Sequence, residues 1–225
     1  MDNAKNKNDL SGIMTKRSSM LLYSDSNDHY SHRARIVLAE KGVTVEVFHV
    51  KPEEMPEEVL SMNPYQVLPT LVDRDLVLYH PNVIMEYLDE RFPHPPLLPV
   101  YPVARAQNRL WIYRVEKDWC AHVDTIMDPS SSREEVAESR QVLRESLLAV
   151  SPIFSEKPYF MSDEFTLIDC CVAPILWRLD AMEIEMPKKA AKDLIEYAKR
   201  LFQRDSFEVS LSDVEREQGG WQLAK

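Results

Sequence analysis

Six histidines, three cysteines and a histidine-bearing run of prolines hold most of the reactive or recognition chemistry this chain could perform. His29, His32, His49, His80, His94 and His122 show no HxH or HxxxH pair, so no metal site is expected. Cys120, Cys170 and Cys171 form no CxxC motif. On a helix the adjacent pair diverges by roughly 100°, which makes it a poor disulfide. Scattered cysteines in a chain of this size predict reduced thiols and a cytoplasmic protein. Glycine is scarce, 4 in 225 residues. Phosphate-cradling loops need glycine so that backbone N–H groups can approach the phosphate. Neither GxGxxG nor GxxxxGK[ST] occurs, which excludes a Rossmann or P-loop site of the usual kind, and no cofactor is expected.

His94 has the most distinctive setting. It lies in Phe92–Val103, FPHPPLLPVYPV, which holds five of the 15 prolines. Proline stiffens the backbone, so such a segment loses little entropy on docking. An imidazole offers a donor and an acceptor, and Tyr101 is a residue type favoured as an interface anchor. On the residues alone, the run reads equally as a rigid spacer and as a presenting surface.

Charge narrows the partners. The net charge is −10, from 27 Lys+Arg against 37 Asp+Glu. That balance argues against general affinity for DNA or RNA, which rests on phosphate neutralisation. No apolar run approaches the roughly 20 residues needed to span a bilayer. Residues 1–19 lack the apolar stretch of a signal peptide and read as a polar, disordered tail.

The elements that position these residues follow from periodicity and punctuation. Met20–Tyr23 is a short apolar strand. Ala34, Val37, Leu38 and Lys41 recur at helical spacing, with Gly42 as the stop. Val43–Val50 alternates as a second strand, so a parallel βαβ unit is expected. A short helix covers Pro56–Met62. In Val67–Val72 a proline, Pro69, enters an apolar strand, which places it at a strand start, an edge or a cis turn. Leu76–Tyr79 completes a hairpin. His80–Pro81 opens a helix ending near Phe92. Beyond the joint the chain reads as helical: Pro102–Met127, Glu134–Val150, Leu167–Leu179, about Lys188–Arg204, and Leu211–Gln218. Thr166 and Asp169 form a capping box before a helix apolar on nearly every face. Trp111, Trp119 and Trp177 belong to the core, and Trp221 reads as loose. The divisions are a tail at 1–19, an α/β domain at 20–92, a joint at 93–101, an all-helical domain at 102–210, and a C-terminal helix and tail at 211–225.

The order β-α-β-α-β-β-α followed by helices resembles the glutathione transferase fold, with its thioredoxin-like first half. Leu68–Pro69–Thr70–Leu71, the joint and Phe165–Asp169 carry that resemblance. The strings YSHRARIVLAEKGV, LPTLVDRDL, MEYLDERFPHPPLLPVYPVAR, KPYFMSDEFTLIDC and FQRDSF are more specific. They resemble the stringent starvation protein A family, bacterial transcription regulators built on the transferase fold. The resemblance implies a homodimer that binds RNA polymerase holoenzyme through its sigma factor, with no sequence-specific nucleic-acid binding of its own. It implies a partner-binding surface at Pro93, His94, Pro95 and Pro96, with Tyr101 nearby. It implies a cis Pro69, with Leu68 and Pro69 at a vestigial glutathione site.

The transferase likeness also tests an enzymatic reading, a glutathione-dependent transferase or reductase. A thiol-activating hydroxyl or thiol is expected at the first strand–helix junction. The aligned position is Asp28, whose carboxylate repels a thiolate. Tyr23, Ser24, Ser26, Tyr30 and Ser31 are the nearby hydroxyls. The Glu/Gln–Ser/Thr dipeptide that holds the γ-glutamyl group is replaced by His80–Pro81. No catalytic residue is therefore expected. Arg33 and Arg35 read as solvated charges or as a docking surface for an acidic segment.

Overall fold

Strand β1, Met20–Ser24, is central to a four-stranded sheet in a computed structural model that describes residues 20–224. The expected tail at 1–19 lies outside the described residues. Helix α1 (His29–Glu40) crosses over to strand β2 (Glu46–His49), which pairs with β1 in parallel, Leu22 opposite Val47. Gly42 terminates α1 in the left-handed region at φ 61°, which only glycine adopts freely. Helix α2 (Glu57–Met62) leads to β3 (Thr70–Asp73) and β4 (Leu76–Leu78). Both join antiparallel, giving the order β2-β1-β3-β4. Helix α3 spans Pro81–Arg91 with proline in its first turn.

The period-two alternation decides which face of the sheet each residue serves. Leu22 and Leu71 face the main core with Ile36 and Ile84. Leu21 and Val72 face a small core with Tyr23, Met55 and Val59. The main core continues without a break through Leu97 and Leu98 into the helical half.

That half contains α4 (Pro102–Val115), a π turn (Glu116–Cys120), α5 (Ala121–Met127) and α6 (Arg133–Val150). It continues with α7 (Leu167–Trp177), α8 (Lys192–Phe202), α9 (Asp205–Ser210) and α10 (Asp213–Gln218). The single helix expected over Pro102–Met127 is thus interrupted by a wider turn. The chain after Phe202 forms two short helices where one was expected. Helix α7 is buried along its whole length, and the Thr166–Asp169 box forms at its start. Asp169 also accepts from Tyr197 Oη at 2.6 Å and Phe160 N at 2.9 Å, so this buried carboxylate is saturated.

Trp221 is not loose. It is 1% exposed, and the backbone before it lies hard against Trp177. A Cβ on Gly220 would fall 2.2 Å from Trp177 Cε3, so only glycine lets the chain pass this close to the ring.

Candidate functional site

A cleft of about 450 Å³ opens between the two halves, lined among others by Tyr30, Leu68, His80, Pro81, Glu116 and Asp124. It brings together Leu68, His80 and Pro81, three of the positions singled out in the sequence. The Leu68–Pro69 bond is cis. Asn63 Nδ2 fixes the turn before it by donating to Val67 O and Thr70 Oγ1, both at 2.9 Å. His80 is the N-cap of α3, but its side chain makes no capping bond, and Pro81 has no N–H to offer. Neither His80 nor Pro81 thus offers a side-chain oxygen to grip an amino-acid group.

The strand–helix junction is occupied structurally. Asp28 caps α1, accepting from Tyr30 N at 3.1 Å and Ser31 N at 2.6 Å. Ser31 Oγ accepts from Asp25 N at 3.1 Å, and Ser24 Oγ accepts from Arg35. Ser26 gives its carbonyl to Ser212 Oγ. Tyr23 stacks on Phe48 in the small core. Tyr30 reaches the cleft, but its hydroxyl donates to Asp124 Oδ2 at 3.0 Å. Burial, with the Asp124 carboxylate adding to it, pushes that phenol well above its ordinary pKa. A phenol held by a carboxylate is committed away from a thiolate.

The proline-rich joint is a held surface. Pro93, His94, Pro95 and Pro96 are exposed, and Tyr101 is 78% exposed. The His94–Pro95 bond is cis. The backbone beneath is pinned on both sides. Lys41 Nζ donates to Pro95 O and to Asp89 Oδ1, the latter at 2.6 Å. Leu97 N donates to Asp89 Oδ1 at 2.8 Å, and Leu97 O accepts from Leu167 N at 2.9 Å. Leu97 and Leu98 are core residues. The run is thus anchored at Leu97 and Leu98, while Pro93–Pro96, Val100 and Tyr101 face solvent.

Arg33 and Arg35 do not form a docking surface, because both are buried. Arg33 Nη2 donates to Cys120 Sγ at 2.7 Å and to His29 Nδ1 at 3.3 Å. Arg35 grips Glu215, as does Arg178. These guanidiniums also hold the loop at the junction. Arg35 Nη1 donates to Asp25 O at 2.9 Å, and Arg178 donates to Asn27 O at 3.2 and 3.0 Å. Glu215 of α10 thus braces the loop through the two arginines.

Cys120, Cys170 and Cys171 are buried and free, and burial pushes all three thiols up, Cys171 to about 12. They are protonated packing residues rather than nucleophiles. Among the described residues, no group of three His, Cys, Asp or Glu side chains could hold a metal ion. No helix among them is long and apolar enough to cross a membrane.

Residues 18–90 match the family model for the glutathione S-transferase N-terminal domain, and residues 112–205 match that for the C-terminal domain. A glutathione S-transferase from Sinorhizobium meliloti superimposes with a TM-score of 0.77 at 24% identity, over 92% of this chain and 99% of that one. That likeness establishes the fold. The sequence relatives are more specific. A stringent starvation protein A homolog of Coxiella burnetii is 52% identical over 204 residues, 91% of this chain and 97% of its own. One from Haemophilus ducreyi is 50% identical over 196 residues, 87% and 91% of the respective chains. With this identity along nearly the full length, and with both halves of the transferase fold matched, the chain belongs to the stringent starvation protein A family.

Proposed function

We propose that this chain is a cytoplasmic regulator that works by protein–protein contact with RNA polymerase holoenzyme through its sigma factor, without transferase activity. The observation that carries the reading is the joint. Exposed Pro93–Pro96 and Tyr101 stand on a backbone clamped by Lys41, Asp89 and Leu167. A surface already ordered before docking loses little entropy on binding. The family resemblance supplies the identity of the partner. No cofactor, metal or direct nucleic-acid contact enters the mechanism.

The working unit in this reading is a homodimer. Helix α3 over Asn82–Glu90 and α4 from Pro102 offer the face. Val83, Leu110 and Tyr113 expose apolar side chains on these two helices, as an isologous contact requires. Light scattering should return twice the 26.2 kDa chain mass. A monomer at micromolar concentration contradicts it.

A glutathione-dependent enzyme is the second reading, favoured by the cleft beside cis Leu68–Pro69. The residues at 28, 80 and 81 weigh against it. Affinity purification of the tagged full chain from its native cell decides between them. The regulator reading expects polymerase and sigma subunits in the eluate, and their absence defeats it.

A further inference from the structure

The sheet ends on an open strand. In the order β2-β1-β3-β4, β2 is an outer strand with β1 on one side. Backbone groups alternate along a strand, each residue turning its N–H and C=O to one side. Val50 N donates to Ser24 O at 3.0 Å, so Glu46 and Phe48 turn toward β1 while Val47 and His49 turn away from it. Among the described residues no strand lies on that outer side. Proteins blunt such edges with proline, lysine or a bulge. The segment Glu46–His49 contains neither residue, and its register with β1 runs without a break.

A groove of about 380 Å³ lies beside that edge. Val45, Val47 and His49 line it from the strand, Leu38 from α1, and Val209 from α9. Val209 is 72% exposed, an apolar branched side chain left facing water. The ends of the edge are acidic. Glu46 is exposed at its start, and exposed Asp213 acts on the charge of His49 at its finish. The cations nearby are already engaged. Glu215 holds Arg35 and Arg178, Glu40 holds Arg204, and Arg216 donates to the Glu208 carbonyl. Burial, then the Arg35 charge, lowers the pKa of His49 against the pull of Glu215, Asp213 and Asp25. The ring therefore brings no positive charge at neutral pH.

We infer that the outer edge of β2 takes up an extended segment of a partner protein as a fifth strand, a segment of alternating apolar residues flanked by Lys or Arg. Its backbone pairs with the outward N–H and C=O groups of Val47 and His49. Its inward side chains fill the groove between Val47 and Val209, and its cations meet Glu46 and Asp213. Strand addition takes affinity from main-chain bonds and specificity from pockets for alternate side chains. A helix cannot dock in this way, because its backbone groups already pair within it. A second copy of this chain fits poorly, since two β2 edges meeting across a twofold bring acidic ends together. None of these residues belongs to the joint or to the α3–α4 face, so the inference goes beyond the regulator reading and does not depend on it.

The test titrates full-length protein into a labelled synthetic peptide, Lys-Val-Thr-Val-Thr-Val-Arg, and reads fluorescence anisotropy. Saturable binding is expected. Methylating one alternate set of peptide amides should weaken it roughly tenfold or more, and methylating the other set much less. Replacing the basic flanks with Asp should weaken it about tenfold at low salt. Val47→Pro removes a donor that faces away from β1, so the ladder keeps its bonds. It should weaken binding about fivefold to tenfold. Val209→Asn changes an exposed side chain and should also weaken binding, with the melting temperature near wild type. If Val47→Pro melts early, Val209→Asn decides. A photo-crosslinker at position 209 should capture the peptide. The inference is overturned by absent binding, by equal effects of the two methylated sets, by an acid-flanked peptide that binds as well, or by wild-type affinity in the folded variants. Capture of a second copy, or of the chain's own residues, in place of the peptide also overturns it.

Discussion

Arg35 on α1 and Glu215 on α10 meet 180 positions apart, with Arg35 Nη2 2.8 and 2.7 Å from the two carboxylate oxygens. Arg178, at the end of α7, shares the same carboxylate. All three side chains are buried. Two desolvated guanidiniums therefore share one carboxylate, and both in turn hold the loop at 25–27. Removing the shared partner strands two buried charges. Breaking a buried pair in this way costs about 3–5 kcal/mol. Glu215→Ala should therefore lower the melting temperature on the order of 10 °C for a chain of this size. Exposed Glu217→Ala, two residues on, should stay within about 0.5 kcal/mol of wild type. Equal melting of the two variants contradicts the assignment.

His32 and His29 set the pH response. His32 Nδ1 lies 3.3 Å from Arg178 Nη1, which must donate to it, so the ring proton is on Nε2, 3.0 Å from Ser210 Oγ. Glu215 and Arg35 also face the ring, and Phe207 packs on it. His29 repeats the pattern, with Arg33 at Nδ1 and Asp124 at Nε2. Burial lowers both pKa values and the neighbouring arginines add to it, most strongly at His32, while at His29 the hydrogen bond to Asp124 opposes the shift. Both rings therefore bind a proton less readily in the fold than in the unfolded chain, where they titrate near about 6.5. As pH falls below that value, the unfolded chain takes up these protons first. Stability is thus full above the unfolded pKa and declines on acidification, by up to about 1.4 kcal/mol per pH unit for each ring. Denaturant unfolding between pH 7.5 and 5.5 should show the decline, and His32→Gln should reduce its slope. A flat profile in the wild type contradicts the lowered pKa values.

Asp28 is a cap, and its variants separate that role from catalysis. Asp28→Ala loses two backbone acceptor bonds and should cost about 1 kcal/mol. Asp28→Ser keeps the capping oxygen and should melt near wild type. It also installs a hydroxyl where transferases activate the thiol. His80–Pro81 still offers no grip on the γ-glutamyl group, so neither wild type nor Asp28→Ser should turn over a standard electrophile with glutathione above background. Turnover by either protein removes the non-enzymatic reading.

What could be read in the sequence was local, and what could not was distant. The Thr166–Asp169 box, the Pro81 helix start and the Leu76–Leu78 hairpin each lie within a few residues of their cause, and each appears where periodicity placed it. Arg33 and Arg35 misled because their partners lie 87 and 180 positions away. A lone arginine on a short helix reads as solvated until its acceptor is known. One clue was present: Ser212 and Glu215 have the spacing of a capping box, which forms at α10. That motif could have announced a structured C-terminus, and with it a buried Trp221. Lys41 and Asp89, 48 positions apart, escaped notice for the same reason.

The joint carries the last prediction. A variant with Pro93→Ala, His94→Ala and Tyr101→Ala should lose holoenzyme binding while keeping its fold. Pro95 stays, because its carbonyl receives Lys41, and Leu97 stays, because it bridges to Asp89 and Leu167. The three altered side chains are exposed, and changes at such positions usually fall within about 0.5 kcal/mol of wild type. An interface anchor is worth about 2 kcal/mol or more, roughly a thirtyfold loss of affinity. Binding should therefore collapse with melting almost unmoved, both measured on one preparation. A variant that retains wild-type affinity removes the joint from the interface. One that binds poorly and also melts early assigns these residues to the clamp between the two halves, where Lys41 and Asp89 already act.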